Sequence, residues 1–153
     1  PRTEADWNDS GNLETMPYPL WKELSKCEAW KTAEAQDRWK LVVINAGLIV
    51  GKRTAPAQIS ASYDHFRRFG NGAYREGVPS LDVGVVDVRD VAEAHMRATF
   101  IPAAEGCHIV FGEIMSLDDI GHVLRENLPP GEWPLPPPNP VEADVRAMEP
   151  RQQ

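Results

Sequence analysis

Residues 41–47 read Leu-Val-Val-Ile-Asn-Ala-Gly, an unbroken aliphatic run closed by Asn45 and Gly47. A strand that is apolar on both faces has no side to give to water. It belongs in a sheet covered above and below, as parallel sheets are. Just before it, Leu20, Leu24, Cys27 and Trp30 recur at steps of four, three and three. That spacing predicts one face of a helix over about 20–37, with Glu23, Lys26, Lys31 and Glu34 largely on the other side. Helix followed by buried strand is half of an α/β alternation, and it sets the expected fold class as α/β.

The rest of the chain continues the alternation. A second helix is expected over 56–69, ended by Gly70-Asn71-Gly72. Residues 81–86 read as a short strand, and Asp90 as the N-terminal cap of an alanine-rich helix over 91–99. Residues 104–106 form a turn before a strand over 107–111. Ser116-Leu117-Asp118-Asp119 is a capping-box pattern with Asp in place of Glu, starting a helix to about Asn127. Composition then shifts. Eight of the 14 prolines lie between Pro129 and Pro150, which marks 129–153 as an extended, loosely ordered tail beside a domain at 1–128.

The 41–45 run poses a problem of shelter. The two other candidate strands are short and come late, and a two- or three-stranded sheet covers such a run only in part. The expectation is therefore that the chain is the later part of a larger α/β protein, an N-terminal half being absent. Its opening on Pro1 rather than methionine agrees with that expectation.

Charge narrows the function. The chain has 16 Lys and Arg against 23 Asp and Glu, a formal net charge of -7. Nucleic-acid and anionic-membrane binders are normally basic, so neither partner is expected. Two cysteines, Cys27 and Cys107, make neither a disulfide scaffold nor a zinc site and suit a reducing, cytoplasmic setting. No apolar stretch is long enough to span a bilayer, and no signal peptide opens the chain. His65, His95, His108 and His122 have no metal-ligand spacing. For His95, and for Asp87 and Asp90, packing, capping and turn bonds are the expected roles. The Pro136 run is a candidate ligand for an aromatic groove.

One pair has the chemistry of acid catalysis. Tyr18 and Lys22 are four residues apart at the start of the first helix, on one face. A nearby ammonium stabilises phenolate, which makes a tyrosine a usable acid or base near neutral pH. Taken alone, the pair reads first as a surface tyrosine packed beside a lysine stem.

Its context carries a resemblance. Tyr18-Pro-Leu-Trp-Lys22 and the helix to Trp30 resemble the Tyr-x-x-x-Lys helix of the extended short-chain dehydrogenase/reductases. The strand from Val43 to Gly51, with Asn45-Ala46-Gly47, resembles that family's Asn-Pro-Gly strand end. Gly77-Val78-Pro79 and the stretch Val86-Asp87-Val88-Arg89-Asp90-Val91-Ala92-Glu93-Ala94-His95 resemble its dihydroflavonol-reductase and aldehyde-reductase branch. Four motifs in order run from about Tyr18 to Leu128.

The resemblance implies the C-terminal part of an NAD(P)-binding Rossmann-like fold with a small substrate lobe. It implies NADP(H) as cofactor, NAD(H) being possible, and a small-molecule carbonyl substrate. Tyr18 would be the general acid, and Lys22 would support it and bond the nicotinamide ribose. Asn45, Ala46, Gly47 and Leu48 would lie along the nicotinamide, and Ser62 would approach the cofactor. Phe66, Phe69 and Tyr74 either wall the substrate pocket or pack in the core. Trp21 stands where the family usually has Ser, and Ala46 where it has Pro. The Gly-rich dinucleotide turn and the active-site Ser or Thr have no counterpart, and Gly70-x-Gly72, which follows a helix, does not replace the former. Nucleotide-sugar epimerases and hydroxysteroid dehydrogenases share the same Tyr and Lys. A non-catalytic remnant or partner-dependent module is the alternative of another class.

Overall fold

A computed structural model describes residues 3–7, 12–14, 17–52 and 60–138. Its elements run α1 (Pro17–Glu34), β1 (Val42–Ala46), β2 (Leu48–Val50), α2 (Ala61–Gly70), β3 (Asp82–Asp87), α3 (Val88–Phe100), β4 (Gly106–Val110), β5 (Glu113–Ser116) and α4 (Leu117–Asn127). Helices and strands alternate along most of the chain, which makes it α/β.

Local chemistry sets the ends of these elements. Helix α1 begins at Pro17, earlier than the apolar spacing suggests. Pro17 and Pro19 both fall in the first turn, where backbone N–H groups have no helical partner to lose. Beyond its C-terminus, the Gln36 side chain donates to Ala33 O and Trp39 O and accepts from Arg38 N and Trp39 N. Helix α2 starts at the cap Ser60, whose Oγ accepts from Tyr63 N at 3.2 Å. The part of the expected second helix at 56–59 lies outside the described residues.

Helix α3 corrects the expected cap. It starts at Val88, which leaves Asp90 inside the first turn. Asp87 does the capping: its Oδ1 accepts from Arg89 N at 2.8 Å while its backbone still belongs to β3. The capping box of α4 forms as expected. Ser116 Oγ accepts from Asp119 N at 3.0 Å, and Asp119 Oδ2 accepts from Ser116 N at 2.9 Å.

The long apolar run is two strands rather than one. Gly47 breaks it, so that β1 joins β4 and β2 joins a second sheet of order β2-β3-β5. β2 and β3 are parallel, with Leu48 opposite Val85 and Val50 opposite Asp87. β3 and β5 are antiparallel, with Asp82 opposite Ser116 and Val85 opposite Glu113. Strand β5 was not expected.

The chain forms two compact units. Unit 1 comprises Pro1–Asn45 and Val91–Val110, and unit 2 comprises Ala46–Asp90 and Phe111–Gln153. Unit 2 has a formed core of Phe69, Tyr74, Val78, Leu117 and Ile120, joined by Phe66, Leu124 and Leu135 among others. Phe69 and Tyr74 meet edge to face with centroids 4.8 Å apart. Between Pro129 and Pro138 the chain returns to this core. Pro136 is fully buried, and Arg125 Nη1 donates to its carbonyl at 2.9 Å. In unit 1 the N-terminal segment lies on α1 and β4: Lys26 Nζ sits 3.9 Å above the Trp7 ring, and Glu4 Oε1 accepts from Ile109 N at 3.4 Å.

Candidate active site

Tyr18 and Lys22 lie in the first turns of α1, both exposed. Lys22 Nζ stands over the face of the Tyr18 ring, 5.8 Å from its centroid. Among the described residues Lys22 has no ion pair. Asn45, also in unit 1, is half-buried in β1.

The other expected positions are in unit 2. Ala46 ends β1, Gly47 follows, and Leu48 opens β2 and packs on the Phe69 core. Gly47 fits only as glycine, since a Cβ there would overlap the Gly84 carbonyl. Ser62, on α2, accepts from the Ile49 N–H at 3.2 Å, which places its hydroxyl against β2, next to the Ala46–Leu48 turn in sequence. Phe69 and Tyr74 are core residues at 2 % and 1 % exposure, not pocket walls, and Phe66 packs on them. Two contributors carried no signal in the sequence: Gly84, whose closeness to Gly47 is purely tertiary, and Arg125, which holds Pro136.

The remaining polar groups have structural tasks. Arg89 binds both oxygens of Asp87. That pairing, with the Arg89 N–H, holds the Asp87 carboxyl down to about 2. Hydrogen bonds from Ser116 likewise hold Asp119 below the usual carboxylate range. His65 is pushed below the usual imidazole range by burial, with Arg68 adding to it, and its buried Nδ1 has no hydrogen-bond partner among the described residues. His122 Nε2 is 3.4 Å from Glu126 on the exposed side of α4. The described residues include no cluster of three or more metal-ligating side chains, and no helix long and apolar enough to cross a membrane.

Sequence and fold comparisons agree on the class. Cinnamoyl-CoA reductase CAD2 of Medicago truncatula is 29 % identical over 132 residues, covering 86 % of this chain and 38 % of the relative. Cinnamoyl-CoA reductase 2 of Arabidopsis thaliana is 33 % identical over 119 residues, covering 78 % and 34 %. In fold, the chain superimposes on yeast methylglyoxal/isovaleraldehyde reductase Gre2, solved with NADPH. The TM-score is 0.75 at 22 % identity, covering 90 % of this chain and 44 % of that one. No protein-family model matches. The chain is related to the extended short-chain dehydrogenase/reductases and has part of their Rossmann-like fold. Its similarity is to their dihydroflavonol-reductase and aldehyde-reductase-like branch. It spans 34–38 % of the length of these two curated relatives.

Proposed function

We propose that this chain is the catalytic C-terminal part of an NADPH-dependent reductase of small aldehydes or ketones. The observation that carries the reading is the Tyr18–Lys22 pair: two residues one helical turn apart, with the ammonium beside the ring, in a chain related to reductases of this kind.

Lys22 offers an ammonium for ribose hydroxyls, and the turn at Ala46–Leu48 offers backbone groups beside the nicotinamide. The chain has no Gly-rich turn for the pyrophosphate, so that end is assigned to a nucleotide-binding half outside it. When bound, the reduced nicotinamide supplies the hydride. Tyr18 gives its hydroxyl proton to the substrate carbonyl oxygen as the alcohol forms, and Lys22 stabilises the phenolate left behind. Asn45 lines the approach, and Ser62 steadies the β2 backbone that follows the turn.

The test is Tyr18→Phe in a protein that joins this chain to its nucleotide-binding half. Turnover of a carbonyl panel with NADPH is expected to fall by about 10²–10⁴-fold, the usual contribution of a positioned acid, while NADPH affinity stays within a factor of two or so. Turnover equal to the parent's would overturn the assignment.

A further inference from the structure

Ser62, His65, Phe66 and Phe69 follow one another along α2 at steps of three, one and three, the spacing of a single helix face. Phe69 is buried and the other three are half-buried, whereas Ala61, Tyr63 and Arg67, off that face, are exposed. Three of the four have matching partners. Ser62 Oγ accepts from the Ile49 N–H at 3.2 Å, Phe66 packs on the core, and Phe69 shares that core with Tyr74, Leu117 and Ile120. His65 differs: its Nδ1 is buried with no hydrogen-bond partner among the described residues.

An imidazole so placed is tolerated in one form. With its proton on Nε2, Nδ1 is a bare acceptor, and a buried acceptor is left unmet more readily than a buried N–H. A second proton would put an N–H on Nδ1 and a charge on the ring, with no acceptor in reach. The surrounding charges do not receive it. Arg68 opposes a positive His65, and Asp64, which would favour one, is held by Arg67 at 2.7 Å and Arg68 at 3.5 Å. Strand β2, packed on α2 through Ser62, has no ionisable residue. On α4, Arg125 is engaged by the Pro136 carbonyl and Asp118, Asp119 by Ser116, and His122 by Glu126. Elsewhere around this core Asp87 is bound by Arg89, and Arg75, Glu76, Asp82, Glu113 and Glu132 are exposed. Burial foremost, then Arg68, holds His65 below the usual imidazole range.

We propose that His65 is a proton-operated latch: in mild acid it takes a second proton, draws the inward face of α2 toward water, and releases the Ser62–Ile49 bond that ties this helix to β2. The direction follows from linkage. The open form takes its proton near the ordinary 6.5 and the closed form only at lower pH, so the closed form loses ground as pH falls below 6.5. The consequence for the cofactor rests on the reading of Ala46–Leu48 as the turn beside the nicotinamide. Ile49 is the next residue, and without its tie the turn is held less firmly, so NADP(H) affinity falls in acid.

The test uses this chain by itself and reads amide hydrogen exchange, as protection factors, at pH 7.5 and pH 5. Protection of the Ile49 amide is expected to fall by about fivefold or more relative to the Leu117 and Leu124 amides. In His65→Leu and His65→Gln, which cannot take the proton, the same ratio should change by less than about twofold. Leu117 and Leu124 also report that both variants remain folded. An equal fall in the variants would overturn the proposal, as would no fall in the parent. So would an equal loss at Leu117 and Leu124, which would mean unfolding of the whole unit. For the cofactor, this chain joined to its nucleotide-binding half is titrated with the acid-stable NADP⁺ at the same two pH values. The parent should lose about threefold more affinity than either variant, a comparison that removes the titration of the cofactor's own phosphate. Loss of Ile49 protection that depends on His65, with no such difference in affinity, would uphold the latch and remove the nicotinamide from this turn. A difference in affinity without loss of protection would overturn the latch.

Discussion

Gly47 lies directly against the carbonyl of Gly84. A Cβ built on Gly47 would overlap the Gly84 oxygen and stand 2.8 Å from its carbonyl carbon. Both partners are backbone, so neither can rotate away. Gly47→Ala should therefore separate β2 from β3 or distort both, at a cost of about 1–3 kcal/mol or more. The check is urea unfolding followed by far-ultraviolet circular dichroism. A midpoint equal to the parent's would show that the two backbones have room to spare.

Asp87 couples stability to acidity. Its folded-state value of about 2 lies below the ordinary 3.8, because Arg89 binds it through side chain and backbone. A carboxylate depressed on folding stabilises above its unfolded value, and that contribution is lost as pH falls through about 4 toward 2. The parent should therefore lose melting temperature more steeply over that window than Asp87→Asn, which keeps capping ability without the charge. Parallel slopes in a thermal melt series from pH 5 to 2 would refute the coupling.

The capping box of α4 gives a smaller, local effect. Ser116→Ala removes the oxygen that accepts from Asp119 N and leaves Asp119 without its hydroxyl partner. A loss of about 0.5–2 kcal/mol is expected in equilibrium unfolding. Asp119→Ala added to Ser116→Ala should cost less than the two single changes summed, since each destroys the same pair.

Arg125 is the tie for the proline segment. It donates to the carbonyls of Pro136 and Pro137 at 2.9 and 3.4 Å. Arg125→Met retains much of the stem and removes both bonds, so the loss should be about 1–2 kcal/mol and local. Limited proteolysis should cut 129–138 faster in the variant while the Phe69 core stays intact. An unchanged cleavage rate would mean that burial of Pro136 alone holds the segment.

What the sequence made legible was chemistry carried by neighbours in the chain. Ser116 and Asp119 are three apart, so their mutual bonds follow from spacing. Tyr18 and Lys22 share a helix face for the same reason, and the aliphatic run at 41–47 could only be strand. What stayed hidden depends on residues far along the chain. At the break, Gly47 lies against Gly84, a neighbour 37 positions away in the sequence. Strand β5 is four residues long, and its last, Ser116, is already the cap of α4, so no alternation could announce it. Asp90 looked like a cap because it precedes an alanine-rich stretch, but Asp87 stands at the true start of α3, where β3 passes into helix without a loop. Phe69 and Tyr74, open in the sequence between pocket wall and core, are core, because Leu117 and Ile120 of α4 pack with them from far along the chain.

The arrangement around Phe69 also sets an order of events during synthesis. Helix α2 leaves the ribosome well before part of its cover, which comes from Leu117 and Ile120 and finally from Leu135 near the end of the described chain. Until those residues emerge, Phe69 and Tyr74 have only earlier partners such as Leu48, Phe66 and Val78, and the parallel pair β2–β3 lacks β5 at its side. The core of unit 2 is thus completed late: a ribosome that stalls before Leu117 would hold a nascent chain whose aromatic pair lacks its α4 cover.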